Sequence, residues 1–142
     1  MNRRHFMGSC DLGAVALAIR QAIGAAQNGP QVEIAAGPGL SGFIYGEGLK
    51  GWMSPELKGE NKGANKTSHV KNGEWNQYRV LAVGPRIQTW INGQPVADLN
   101  DAEVYKTYAK GLIGLQVHGV GKEKGVMQVR WRNIKIRPIE SK

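Results

Sequence analysis

The dipeptide Asn92-Gly93 constrains this chain more than any other stretch. It sits between two apolar-bearing runs, residues 86–91 and 94–97, in the segment RIQTWINGQPVAD. A two-residue hairpin turn of type I′ needs positive φ at both central positions, which Asn and Gly tolerate and branched residues do not. The segment therefore predicts a β-hairpin. Pro95 has no N–H to give a strand ladder, so the return strand is expected at a sheet edge or to begin at that position.

Period-two alternation extends the same reading along the chain. In QVEIA (31–35), Val32 and Ile34 share one face and Glu33 takes the other; GFIY (42–45) resumes after a Gly-Pro-Gly break. EWNQYRVLAV (74–83) reads as a strand closed by Gly84 and Pro85. In the last third, Leu115 and Val117 alternate with Gln116 and His118, and Val129 and Trp131 alternate with Arg130 and Arg132. One face of that last third reads as core and the other gathers an amide, an imidazole and two guanidiniums, an inventory suited to a polyhydroxylated ligand. The apolar register then switches from Trp131 to Ile134 and Ile136, which predicts a bulge at Arg132 and Asn133. Residues 46–72 form a polar loop anchored by Trp52 and Met53, and 98–110 a polar connection with one helical turn. With 20 glycines in 142 residues, these short strands and tight turns indicate one all-β domain, a sandwich.

The N-terminus reads differently. Arg3 and Arg4 precede Phe6 and Met7, and an apolar run covers 12–18, in the manner of a twin-arginine export signal with small residues Gly24 and Ala26 before a cleavage point near Gln27. Residues 1–26 are thus expected to form a signal-like helix ahead of a domain at 31–139, and the mature chain to be periplasmic or extracellular. Asp11 and Arg20 interrupt the apolar core, and Leu12, Val15, Ala16, Ile19 and Ile23 equally suit an amphipathic helix. No apolar run of 18 residues is present, so no transmembrane helix is expected. The single cysteine, Cys10, excludes an intrachain disulfide and a cysteine-based zinc site, and it precedes the apolar run where a lipidated cysteine would follow it. The net charge of +8 comes from lysines scattered through turns, which reads as solvated loop charge and not as a nucleic-acid surface.

The words GEWNQYRVLAVGPRIQTWINGQPVADL, KGLIGLQVHG and VRWRNIKIR, with VEIAAGPGLSGFIYGEGLKGW upstream, resemble the 3-keto-disaccharide hydrolase family over residues 31–139. The resemblance implies a concanavalin-like jelly-roll β-sandwich and a sugar substrate with a carbonyl at ring carbon 3. Family members carry further strands before the VEI-like segment, so the sandwich is expected to be incomplete, either truncated or completed by a homo-oligomer or by strands of a partner. The function implied is an exported hydrolase or lyase that removes the proton next to the keto group, expels the anomeric substituent and hydrates the product. The alternative is a noncatalytic carbohydrate-binding or assembly module.

Such chemistry needs a base, a donor for the enolate and an acid for the leaving group. His118 is the base candidate by titration range, with Glu33 the alternative. Glu47 serves as acid or orients the base, Arg130 or Arg132 stabilises the enolate, Gln116 and Tyr45 bind hydroxyls, and Trp52 touches ligand from its Gly-rich loop. Against this, His118 reads equally as a satisfied structural histidine, Arg130 and Arg132 suit cross-strand ion pairs with Glu33 or Glu47, and Trp90 and Trp131 suit the core. No cofactor is expected. A divalent cation held by Asp98, Asn100 and Asp101 is the one exception, although their spacing completes no calcium loop. Nucleophile-elbow, phosphate-loop and zinc-binding words are absent.

Overall fold

The computed structural model describes residues 6–10, 15–20, 28–35, 39–58, 69–117 and 128–139. Within them run β1 (Phe6–Cys10), β2 (Val15–Arg20), β3 (Gly29–Ile34), β4 (Ile44–Glu47), β5 (Gly51–Trp52), β6 (Asn76–Val83), β7 (Arg86–Ile91), β8 (Gln94–Asn100), α1 (Ala102–Tyr108), β9 (Leu112–Val117) and β10 (Val129–Arg132). They form two antiparallel five-stranded sheets, ordered β10-β1-β6-β7-β8 and β5-β4-β3-β2-β9. The all-β, jelly-roll-like sandwich read from the sequence is what the chain forms.

The hairpin forms at its expected turn: Asn92 and Gly93 take φ of 50° and 83°, and β7 pairs with β8 around them. The register shifts between Thr89 and Trp90, where Pro95 faces Trp90. A bulge at this point absorbs the proline, and β8 is an edge of its sheet, as the missing N–H requires. Asn92 does more than turn the chain. Its Oδ1 accepts from Gln77 N at 2.9 Å, and its Nδ2 donates to His69 O at 2.8 Å and to Asn76 Oδ1 at 2.9 Å.

The N-terminal expectation is corrected. Helical spacing predicts a helix within residues 1–26, but Phe6–Cys10 and Val15–Arg20 are strands, and both lie inside the sandwich. β1 pairs with β10 and β6; β2 pairs with β3 and β9. VALAIR alternates small or charged residues with Val15, Leu17 and Ile19 as well as fitting helical spacing, and the neighbouring strands select the period of two. The stretch assigned ahead of the sandwich therefore supplies one strand to each of its sheets. Arg3, Arg4 and the cleavage point near Gln27 lie outside the described residues. No helix among the described residues is long and apolar enough to cross a membrane.

Between the sheets, Ile34, Tyr78 and Ile91 form one buried cluster against Val129 and Trp131. Phe43, Ile44, Met53, Ala97, Leu99 and Val104 form a second. The bulge expected at Arg132 and Asn133 is instead a strand end: β10 stops at Arg132, and Asn133 turns the chain with φ of 55°. Asp101 caps α1 by accepting from Val104 N at 3.0 Å.

One hydrogen bond joins the two sheets close to the backbone of Glu33. Thr89, buried on β7, donates from Oγ1 to Gly42 O at 2.6 Å and accepts from Ala97 N at 3.1 Å. Gly42 N in turn donates to Glu33 O at 2.8 Å, and Glu33 N donates to Phe43 O at 2.9 Å. Gly42 has φ of +85°, and a Cβ there would lie 2.9 Å from Ile91 Cδ1, so both backbone conformation and space demand glycine. Thr89→Val, which keeps the shape but strands the Gly42 carbonyl and the Ala97 amide, is expected to cost about 1–3 kcal/mol. Gly42→Ala is expected to cost at least as much, and urea unfolding of the two variants checks both.

Candidate functional site

The outer face of the β5-β4-β3-β2-β9 sheet collects the polar side chains. Val32 and Ile34 are buried in the core, so Gln31 and Glu33, the alternate residues of β3, take the opposite face. The register carries that face sideways. Gln31 lies opposite Tyr45, and Tyr45 opposite Trp52, placing an amide, a phenol and an indole in one row across three strands. Glu47 lies opposite Gly29, two positions along. On the other side, Ala18 and Ala16 of β2 stand opposite Gln31 and Glu33, and Gln116 of β9 stands opposite Ala16. Small residues thus separate Glu33 from Gln116 by two strand spacings, about 10 Å.

Tyr45 and Trp52 meet edge to face, centroids 5.2 Å apart at 75°, the arrangement that ring quadrupoles favour. Neither ring is fully buried. Gln31 is 1% exposed, and its Nε2 donates to Glu47 Oε2 at 3.3 Å. Burial, reinforced by the nearby charge of Glu47, pushes the Glu33 carboxyl from 4.5 up to about 7. Burial is the larger cause of that shift and the charge of Glu47 the smaller.

Of the residues singled out in the sequence, Glu33, Glu47, Tyr45, Trp52 and Gln116 share this face. Arg130 and Arg132 do not, which corrects the expectation of one polar face in the last third. β9 and β10 belong to different sheets. Val129 and Trp131 pack into the core between the sheets, so the arginines alternating with them face outward on the far side of the sandwich. There Arg132 stacks 3.8 Å from the Trp75 ring centroid and Arg130 donates to Gln128 Oε1 at 3.0 Å; neither pairs with Glu33 or Glu47. Trp90 lies on that same outer face with Arg79 over its ring at 4.2 Å, and not in the core expected for it. Trp131 does pack where expected. His118 lies outside the described residues.

The acidic group expected for a cation is engaged elsewhere. Asp98 accepts from Arg86 Nε at 2.7 Å and from Gln88 Nε2 at 3.0 Å, and Asp101 accepts from Lys50 at 2.8 Å besides capping α1. Their hydrogen-bonded cations hold both carboxyls below their usual range. Among the described residues no three His, Cys, Asp or Glu side chains cluster as metal ligands.

Gln31 is the site residue that the sequence reading does not single out. Its signal is parity: in QVEIA it stands two residues before Glu33 and must share its face.

The raised Glu33 carboxyl makes stability depend on pH with a definite sign. Below 4.5 both folded and unfolded chains hold the proton; between 4.5 and about 7 only the folded chain does, so stability falls as pH rises through this window and levels off above it. Glu33→Gln removes that loss. The variant is expected to be more stable than the parent at pH 9, by on the order of 1–3 kcal/mol, with the gap closing toward pH 4. Urea unfolding at the two pH values checks it, and an equal gap at both would place the charged carboxyl in water.

The family model of the 3-keto-alpha-glucoside-1,2-lyase-like domain matches residues 12–137. No curated protein matches. Among solved structures, a candidate glycosyl hydrolase from Parabacteroides distasonis has a TM-score of 0.50 and 18% identity over 94% of this chain and 71% of that one. At that identity the likeness speaks for the fold. The match from residue 12 to residue 137, nearly the whole chain, means that the protein belongs to the 3-keto-alpha-glucoside-1,2-lyase-like domain family.

Proposed function

We propose that the chain cleaves 3-keto-glycosides on the outer face of the β5-β4-β3-β2-β9 sheet, with Glu33 as the general base. Family membership supports a carbohydrate-related, hydrolase-like function. The observation that carries the finer reading is Glu33 itself: a carboxyl brought to about 7 by burial beside Glu47, on a face that also offers aromatic rings and an amide. A general base works best with a pKa close to the working pH, and an ordinary glutamate near 4.3 is a weak base by comparison.

The step follows from the substrate's own chemistry. A carbonyl at carbon 3 acidifies the proton on carbon 2. Glu33 takes that proton, and the C–H electron pair becomes an enolate whose charge rests on the carbon-3 oxygen. The enolate then re-forms the carbonyl as its electrons make the carbon 1–carbon 2 double bond and expel the anomeric oxygen, which takes a proton from water and leaves as the aglycone alcohol. Water adds across the new double bond to complete a net hydrolysis. Tyr45 supplies an O–H donor on the same face for the oxygen that gains charge, and Tyr45 with Trp52 provides apolar edge for the sugar ring. Arg130 and Arg132, on the far side, have no part in this step.

The test is aglycone release from a 3-keto-glucoside by the purified chain. Glu33→Gln is expected to lower kcat by about 100- to 10,000-fold, the usual contribution of a positioned base. In the parent, kcat/KM should rise with pH to a plateau with its midpoint near 7, because only ionised Glu33 accepts the proton. Undiminished turnover by Glu33→Gln, with loss in His118→Ala, would move the base to His118. A folded chain that binds the sugar without turnover would make this a carbohydrate-binding module.

A further inference from the structure

The outer face of the β10-β1-β6-β7-β8 sheet carries guanidiniums that no carboxylate answers. Arg130 and Arg132 on β10 and Arg79 on β6 are all exposed there. Arg132 lies over the Trp75 ring and Arg79 over the Trp90 ring, while Arg130 donates to the Gln128 amide. Two carboxylates come close to this face in the chain, Asp98 on β8 and Glu74 just before β6. Each has another cation, Arg86 for Asp98 and Lys71 for Glu74. Among the described residues Arg79, Arg130 and Arg132 form no ion pair.

An arginine over an indole is held as well as stabilised. The contact orders a long, flexible side chain on folding, and that rotamer freedom is no longer lost when a ligand binds. It leaves the guanidinium with N–H donors in a fixed fork that suits a planar carboxylate, which takes two hydrogen bonds from it. The face therefore fits an anion, and an extended one. Trp75 immediately precedes β6, and Trp90 lies on β7 opposite Arg79. Residues 75 and 79 are four apart, up to about 13 Å in extended chain, so the two guanidiniums are anchored at separate points. One small anion does not engage both, whereas a polymer with an acid on each residue meets them in turn. The indoles decide between polymers. Single-stranded nucleic acid draws affinity from ring faces on which bases stack, and here each ring has a cation over one face. A glycan chain of uronic acids asks only for the cations and for hydrogen bonds.

We propose that this face binds a carboxylated polysaccharide, a polyuronate, through Arg79, Arg130 and Arg132. It is a second binding surface, across the sandwich from Glu33, and it leaves the opposite sheet open while the protein is held on an acidic glycan. The assignment does not depend on the lyase reading, and its test needs no turnover.

The experiment measures affinity of the full chain for polygalacturonate and for the same polymer fully methyl-esterified. The acid form is expected to bind, more weakly as salt rises, because a charged polymer releases its counterions to the protein's cations; the ester is expected not to bind. Arg79→Gln and Arg132→Gln should each weaken binding by roughly 3- to 10-fold, and lysine at either position, which keeps the charge and loses the fork, should restore only part of it. Lys110→Gln removes the same charge from an exposed residue ahead of β9 and should leave the affinity within about twofold, since an exposed charge away from the contact is screened. The arginines are exposed, so the variants are expected to fold, and circular dichroism checks that they do. No binding of the acid polymer, equal binding of the ester, or a loss in Lys110→Gln as large as in the arginine variants would overturn the proposal. Tighter binding of single-stranded DNA or of dextran sulfate at the same ionic strength would overturn it too, by giving the face to another polyanion.

Discussion

The packing of β3 is the constraint on which the rest depends. Val32 and Ile34 are almost fully buried, and β3 is the middle strand of its sheet, bonded on both sides. A strand held on both edges with one face in the core has no freedom to slip. A shift of one residue would drive Gln31 and Glu33 between the sheets and turn valine and isoleucine outward. The hydrophobic pattern of five residues thus fixes where a carboxyl and an amide stand relative to Tyr45, Trp52 and Gln116. The opposite sheet adds to this through the Thr89 hydroxyl, which holds the Gly42 carbonyl while the Gly42 amide holds the backbone of Glu33. The core of the molecule and the strand that carries Glu33 therefore share one short chain of hydrogen bonds.

What could be read in the sequence tracks the range of each physical rule. Asn92-Gly93 declares its hairpin because the requirement for positive φ is local. QVEIA declares a strand with Glu33 on its polar side because alternation is local too, and the same rule applied two residues earlier finds Gln31. Alternation does not say which sheet a strand joins. Gln116 and Arg130 each stand on the polar side of their own strand, yet β9 and β10 enter opposite sheets, and the shared face inferred from their proximity in the chain dissolves. Phe6–Cys10 and Val15–Arg20 escape the sequence reading for a related reason. Leu12, Val15, Ala16, Ile19 and Ile23 satisfy helical spacing, and VALAIR satisfies strand spacing. Only the places open beside β3 and β9, and beside β6 and β10, decide between them.

The arginines of the far sheet bear on where a sugar can sit. Arg79 and Arg132 lie over Trp90 and Trp75, where the indoles shield their own faces under a cation. Each of those tryptophans has one face under a cation, whereas Tyr45 and Trp52 meet edge to face, with Trp52 also packed against the second core cluster. The two aromatic pairs therefore differ in kind: cation over ring on the far sheet, ring against ring beside the carboxyls.

The site also sets a local effect against a global one. The chain carries a net charge of +8, which taken alone would favour ionised carboxylates everywhere. Glu33 is nevertheless shifted upward, and burial is the larger cause, with Glu47 second. Screening explains the order: at physiological ionic strength exposed charges lose their reach beyond about 8 Å, so lysines in surface turns contribute little, while desolvation acts on the carboxyl directly. Because burial is the larger cause, the shift is a property of the strand's position and not only of a charge pair. A carboxyl tuned mainly by burial keeps its pKa when mobile surface charges rearrange or salt changes. It is then the packing of β3, through Val32 and Ile34, that holds Glu33 ready to exchange a proton near neutral pH.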